Sequence, residues 1–280
     1  MAEAATVHER VCVPTVVDKI LMTRDKSETP LVSVMLCTNQ ADSYFDLALA
    51  SLQNQSLRNI EILVVANGLT PKQTDQLKDK ITDPRVRVFQ TDMSGVTFSR
   101  NLTLHEARAD LIAVLDADDI AYPDRLRKQY AFLTCHPEVM VVGSNYDTID
   151  ADGLVLSTSQ LPSDNQAIRN SLVRSNPLCH PATMFRRQAA LTVGGYSGGL
   201  AQDYELWVRL LSNSNNKFAN LPEPLIGYRI PAVSKARRSL RAYAQVASAQ
   251  WRQFVMTKQI KWCVASIVSA GKAWLRSRQG

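Results

Sequence analysis

The chain has 280 residues, 45% of them apolar and 21% charged, enough to bury a full core in one large domain or one domain with an appendage. Five scattered cysteines and four histidines, none at metal-ligand spacing, exclude a disulfide scaffold and a zinc site and suit reduced thiols in a cytoplasmic setting. The formal charge of +6 is uneven: residues 224–280 hold eleven of the 32 Lys and Arg and no acid, which leaves 21 basic against 26 acidic residues elsewhere. Such an asymmetry bears on partners.

Residues 1–30, broken by Pro14 and Pro30, read as an irregular N-terminal extension with no assigned role. They lack the basic-then-apolar pattern of a secretory signal, and no apolar run reaches the ~18 residues of a spanning helix. Order begins at LVSVMLC (31–37), a buried strand. An amphipathic helix over 41–54 follows, with Tyr44, Leu47, Ala48 and Leu52 on one face. IEILVVA (60–66) is a second buried strand, closed by the turn-forming pair Asn67-Gly68. A polar helix over 71–80 starts with Pro71 near its first position. VRVF (86–89) is a third strand, and a helix over 96–108 leads into LIAVL (111–115). Strands and helices alternating at this spacing imply βαβ units, hence a mostly parallel sheet with helices on both faces.

The fourth strand ends in three carboxylates within four residues, Asp116, Asp118 and Asp119. Ligands bind at the carboxyl edge of open α/β sheets, and a divalent cation is one way to relieve the repulsion of carboxylates held this close. A turn running into the helix near Pro123, with Asp119 as its cap, is the other reading of the same residues.

Beyond that helix (to 135), VMVVG (139–143) is a strand, followed by strand-like runs near Tyr146 and Leu154 around the turn sequence 150–153. Residues 166–174 are helical and 179–186 extended; Gly194-Gly195 and Gly198-Gly199 mark a mobile loop. Residues 201–211 form a helix burying Leu206, Trp207, Leu210 and Leu211.

Three features in this order resemble the family 2 glycosyltransferases, which have the GT-A fold: the first strand with Thr38 followed by VVANGLT (64–70), LDADD (115–119), and GGLAQDYELWVRL (198–210). The resemblance covers roughly residues 31–230 and implies a Rossmann-like nucleotide-sugar half (31–119) and an acceptor half (120–230) of one catalytic domain. It places Asp118 as the metal ligand of a DXD motif, for Mn²⁺ or Mg²⁺, with Asp116 and Ala117 beside the donor. Asp203 takes the place of the general base that inverting transfer requires. Where the family carries Glu-Asp this chain has Gln202-Asp203, and Glu205 is the rival base; a carboxylate at an exposed helix start is the bland alternative for both. Thr38, Asn39, Asn67 and Arg100 match positions lining the nucleotide pocket, although Ala66-Asn67-Gly68 replaces the usual Asp-Asp-Gly-Ser turn. Arg100 is equally a salt-bridge partner for a neighbouring acid. Gln202, His180 and Trp207 are candidate acceptor or diphosphate contacts.

Residues 231–280 read as a basic helical tail, with Ile260, Val264, Ile267, Gly271, Trp274 and Leu275 at helical spacing and Lys261, Ser269, Lys272 and Arg276 opposite. The pattern over 258–278 suits an anionic membrane surface; a helix packed on the domain with a solvated basic face is its alternative. Nucleic acid is disfavoured, because no recognition motif accompanies the charge. The expectation is a peripheral enzyme at the inner face of the cell membrane that moves a hexose from a UDP-sugar to a lipid-linked or oligosaccharide acceptor in O-antigen or capsule assembly. A nucleotidyltransferase should carry a Gly-rich basic loop after its first strand, which CTNQADSYF (37–45) lacks. A non-catalytic nucleotide-sugar-binding protein would have no need of Asp116, Asp118 and Asp203.

Overall fold

A computed structural model describes residues 29–91, 93, 95–230 and 240–277; almost all of the N-terminal extension thus lies outside the described residues. Four strands, β1 (Val32–Thr38), β2 (Ile60–Asn67), β3 (Val86–Thr91) and β4 (Leu111–Asp116), run parallel in the order β3-β2-β1-β4. They are joined by α1 (Ser43–Gln53), α2 (Pro71–Lys80) and α3 (Val96–Glu106). Strand residues alternate between two apolar cores. Val34, Leu36, Ile62, Val64, Ala113 and Leu115 meet α1, α2 and α4 (Arg125–Cys135) on one face. Met35, Leu63, Ile112 and Val114 meet helices on the other. That two-sided burial is why these strands read as continuous apolar runs.

The second half is less regular. Chain direction reverses at β8 (Met184–Arg186), antiparallel to both β4 and β6 (Val139–Ile149). The thirteen-residue β9 (Lys217–Arg229) then runs parallel to β6, its register broken near Pro222 and Pro224. Two-residue β5 (Ile120–Ala121) pairs β9, and β7 (Val155–Thr158) pairs β6. The sheet is therefore mixed, with β3-β2-β1-β4 as its all-parallel run. The run near Tyr146 belongs to β6 itself, and β9 and the short α6 (Arg187–Thr192) are elements that the pattern of apolar residues did not reveal. Residues 179–186 divide into a 3₁₀ turn at His180–Ala182 and β8.

In α1 the buried face is Phe45, Ala48, Leu49 and Leu52, while Leu47 is half exposed. The helix is thus rotated from the face expected: both stripes have helical spacing, and the one that carries Phe45 and Leu49 beside Ala48 and Leu52 is the more apolar. Cys37, Cys179 and Cys263 are free thiols.

The C-terminal helices α8 (Leu240–Thr257) and α9 (Ile260–Ser277) fold back on each other, with Ser266 Oγ donating to the Ala247 carbonyl at 2.8 Å. Val246, Ala249 and Trp262 join the same core as α5 (Asn165–Leu172) and α7 (Gln202–Leu211). In α9 the side turned inward carries Trp262, Ser266, Ser269 and Ala273, while Ile260, Val264, Ile267, Trp274 and Leu275 are more than half exposed. Ser269 thus does not lie with the lysines on a solvated face; the small and hydroxyl residues pack inward and the apolar stripe faces outward. Among the described residues no helix is long and apolar enough to cross a membrane.

Candidate active site

β4 delivers Asp116 to the carboxyl edge of the sheet, where Cys37 of β1 is its register partner. A guanidinium from α3 meets it there: Arg100 Nη2 lies 3.1 Å from Asp116 Oδ1, with its carbon 5.6 Å from the centre of the Tyr196 ring. Burial by itself would lower the Arg100 pKa, but the nearby acids, Asp116 foremost, hold it above its ordinary value. Of the two roles open to Arg100, the structure displays the ion pair.

The next two acids diverge. Asp118 is exposed, its backbone carbonyl held by Arg229 Nε at 2.9 Å. Loss of hydration, then the adjacent charge of Asp116, raises its carboxyl pKa. Asp119 is 1% exposed and accepts the Arg229 N–H at 2.8 Å. Burial, with Asp116 next, pushes Asp119 up to about 8. The residue at the cap position of α4 is Asp124, so the cap expected of Asp119 is not what it forms. It ties the DADD turn to the end of β9 instead.

The other acid arrives on α7. Asn101 of α3 brackets Tyr196, accepting its N–H at 2.8 Å and donating to its carbonyl at 2.9 Å. Gly195 sits at φ +69°, and an added Cβ there would stand 2.5 Å from Asn101 Oδ1, so the turn requires glycine. Thr97 Oγ1 reaches the Gly198 carbonyl and Gln202 Oε1 at 2.7 and 2.8 Å. The glycine-rich segment is thus fastened rather than free. Asp203 follows, with Asn176 Nδ2 donating to its Oδ2 at 2.8 Å. Burial raises the Asp203 pKa, opposed by its contact with the Tyr204 N–H and by the Arg100 charge.

These residues share one cleft of about 530 Å³, lined among others by Arg100, Asp116, Asn176, His180, Gln202 and Asp203. His180 is buried, its Nε2 2.9 Å from the Tyr196 hydroxyl and its Nδ1 without a partner. Burial first, then Arg100 and Arg125, drives its pKa well below the ordinary value, so the ring is neutral at neutral pH.

Other expected site residues lie elsewhere. Trp207 is fully buried against His180, Phe185 and Phe218, which makes it a core residue and removes it as an acceptor contact. Glu205 turns away from the cleft into an ion cluster with Arg209 and Arg252, both at 2.6 Å, and so is no rival base. Asn67 Oδ1 accepts the Gly95 N–H at 2.8 Å, bracing the start of α3. Thr38 bonds Gln40 at the end of β1, Asn39 is exposed beside it, and Ala117 is half-buried against the core. Asn176, which lines the cleft, and Tyr196, buried behind it against His180 and Arg100, are residues that sequence reasoning missed; their only signal is proximity to His180 and to the glycine pairs. Arg229 gave none.

No group of three or more His, Cys, Asp or Glu side chains gathers to hold a metal ion among the described residues. Two carboxylates at the carboxyl edge of the sheet nonetheless fit Mg²⁺ or Mn²⁺, since such ions commonly take one or two carboxylates and complete their shell with substrate phosphates and water. Loss of hydration first and the neighbouring Asp116 charge second raise the Asp118 carboxyl, and a bound cation would relieve the second of these.

Acids at the carboxyl edge of a mixed α/β sheet thus face a further acid on α7 across one cleft, an arrangement that suits group transfer. The profile of glycosyl transferase family 2 matches residues 33–194, and the chain belongs to that family. The O-antigen biosynthesis glycosyltransferase WbnJ of Escherichia coli is 31% identical over 234 residues, covering 82% of this chain and 91% of WbnJ. A UDP-Gal:alpha-D-GlcNAc-diphosphoundecaprenol beta-1,3-galactosyltransferase of Escherichia coli is 27% identical, covering 78% and 80%. The structure of Staphylococcus aureus TarS residues 1–349 with UDP-GlcNAc superposes with a TM-score of 0.63 at 17% identity, over 80% of this chain and 66% of that one. The fold is GT-A, and the protein is a glycosyltransferase.

Proposed function

We propose that the chain is an inverting hexosyltransferase that uses a UDP-sugar and extends a polyprenyl-diphosphate-linked oligosaccharide in surface-polysaccharide assembly. The observation that carries this reading is the joint lining of one cleft by the Arg100–Asp116 pair and Asp203. The O-antigen role of WbnJ supports the surface-polysaccharide setting, and the diphosphoundecaprenol galactosyltransferase, which uses UDP-Gal, supports both the lipid-diphosphate acceptor and the UDP-sugar donor.

In the reaction an acceptor hydroxyl attacks the anomeric carbon while the bond from that carbon to the diphosphate breaks and UDP departs. Asp203 takes the hydroxyl proton, a role suited to a carboxylate whose pKa burial has raised. Asn176 fixes the orientation of that carboxylate. Arg100 holds the Asp116 side chain at the donor side. Asp118, with Asp116, is the pair that would hold Mn²⁺ or Mg²⁺, whose contribution is to neutralise charge on the leaving diphosphate. Gln202 and neutral His180 line the wall where the acceptor approaches.

The outward apolar stripe of α9, with Trp251, Val255 and Met256 of α8 also exposed, favours peripheral seating on an anionic bilayer from the cytoplasmic side. A lipid-linked acceptor would then be presented at the surface the enzyme already occupies.

The test is transfer from radiolabelled UDP-hexoses to GlcNAc-diphosphate-lipid with Mn²⁺, preceded by thermal-shift screening of the donors, because the correct donor raises apparent stability. Transfer lost in Asp203→Asn and in Asp118→Ala is expected; full activity in either overturns the mechanism.

A further inference from the structure

The sequence sets residues 231–280 apart as a tail, yet α8 touches the candidate site. Helix α7, whose first turn carries Gln202 and Asp203, begins at Ala201, a residue whose side chain cannot cap it. The loop that leads into it is held by another helix. Gln245 Oε1 of α8 accepts the N–H of Leu200 at 2.6 Å and that of Ala201 at 3.1 Å. A Cβ added to Gly199 would stand 3.1 Å from Gln245 Nε2, so the amide lies flat against the loop. Two turns along α8, Arg252 Nη1 lies 2.6 Å from Glu205 Oε1. The other Glu205 oxygen takes Ser197 Oγ at 2.5 Å and Arg209 at 2.6 Å, and Arg209 in turn donates to the carbonyl of Gly195 at 2.5 Å. Gly199, Leu200, Gln202 and Asp203, all cleft-lining, thus sit on a segment pinned from behind at both ends by α8.

We infer that α8 is a strut of the acceptor site, in which Gln245 is a positioning residue for the 199–203 wall and for Asp203, backed by the Arg252–Glu205 pair. Gln245 touches no reacting atom. It fixes the backbone from which Asp203 projects, so its loss falls on acceptor use and spares the donor, whose binding edge is held by the β1–β4 ladder. The inference deepens the reading of Asp203 as base and rests on it.

Hydrogen exchange on the full chain separates the two. Gln245→Met keeps the side-chain length and removes the accepting oxygen; Gln245→Glu keeps an oxygen. With two hydrogen bonds lost, exchange at Leu200 and Ala201 is expected to quicken about tenfold in Gln245→Met and to return towards wild type in Gln245→Glu. With UDP-galactose and GlcNAc-diphosphate-undecyl as the pair, KM for the acceptor should rise about fivefold in Gln245→Met, with KM for the donor unchanged. Unchanged exchange in Gln245→Met overturns the strut whatever the kinetics. Quickened exchange with kinetics that are unaltered, or altered equally for donor and acceptor, overturns the positioning role. Full activity of Asp203→Asn removes the base reading alone, since the exchange result does not depend on it.

Discussion

The two acids that meet in the cleft are held by opposite kinds of structure. Asp116 ends a strand whose backbone is paired to β1 on one side and to β8 on the other, and whose side chains fill both cores. Its position follows from a ladder of many bonds, and no single side chain decides it. Asp203 opens a helix that follows a glycine-rich turn, and its place depends on separate side chains from three helices, Thr97 and Asn101 of α3, Arg209 of α7 and Gln245 of α8. The donor edge is therefore robust to point changes, and the acceptor wall is sensitive to them.

The largest expected effect tests the acceptor side. Asp203→Asn keeps the shape and the Asn176 contact partner but removes the base, so kcat should fall about 10²–10⁴-fold. Thermal shifts with UDP-sugar should stay as in wild type, because the donor edge does not use this residue. A matching loss of donor binding would contradict the division.

Next is the packing beneath the wall. Trp207 is fully buried and touches His180, Phe185 and Phe218, so Trp207→Ala should cost about 3–5 kcal/mol, read from denaturant midpoints. Trp207→Phe should cost less. A loss under about 1 kcal/mol would mean that the acceptor half packs loosely and that its wall is not held from the core.

The pH profile probes the link between the halves. The base must be ionised, and the Asp203 pKa is raised by burial, so kcat/KM should fall as pH drops through a value above the ordinary Asp range. Arg100 favours the charged form of Asp203. Its removal in Arg100→Met therefore raises that pKa further and moves the acid limb to higher pH. A limb that stays put in Arg100→Met would show that the ion pair serves Asp116 alone.

The same contrast explains what the sequence disclosed. Apolar runs ending in Asn67 and Asp116 announce buried parallel strands, because two-faced burial leaves continuous hydrophobic stretches, and the order of β1 to β4 was legible from them. The acids at the edge were legible as a cluster, but not their divergence. Nothing local distinguishes Asp118, which faces solvent, from Asp119, which Arg229 buries from 110 positions away. β9 was hidden because Pro222 and Pro224 interrupt its pattern where its register shifts. Trp207 was misplaced because its aromatic ring suits a sugar as well as a core, and only burial separates those roles. Gln245 was invisible: a polar residue on a helix carries no sign that its oxygen serves the loop before another helix.

The smallest expected effect contrasts two ways of starting a helix. On the donor side α1 is capped from within its own sequence, with Asp42 Oδ1 accepting the N–H groups of Tyr44 and Phe45 at 3.1 and 3.0 Å. Asp42→Ala should cost about 1 kcal/mol of global stability, the usual worth of a local cap, and leave acceptor kinetics untouched. The start of α7 has no such cap, and the loop just before it leans on an oxygen from α8. A cap that is local in sequence forms whenever its helix forms, so its energy enters the folding equilibrium as a whole. A brace reaching across the fold is made only when α8 has docked, so its loss loosens the wall before it unfolds the chain. Equal effects of Asp42→Ala and Gln245→Met on both the denaturation midpoint and acceptor KM would erase that distinction. A midpoint shift confined mainly to the first, with a KM shift confined to the second, follows from how each helix is begun.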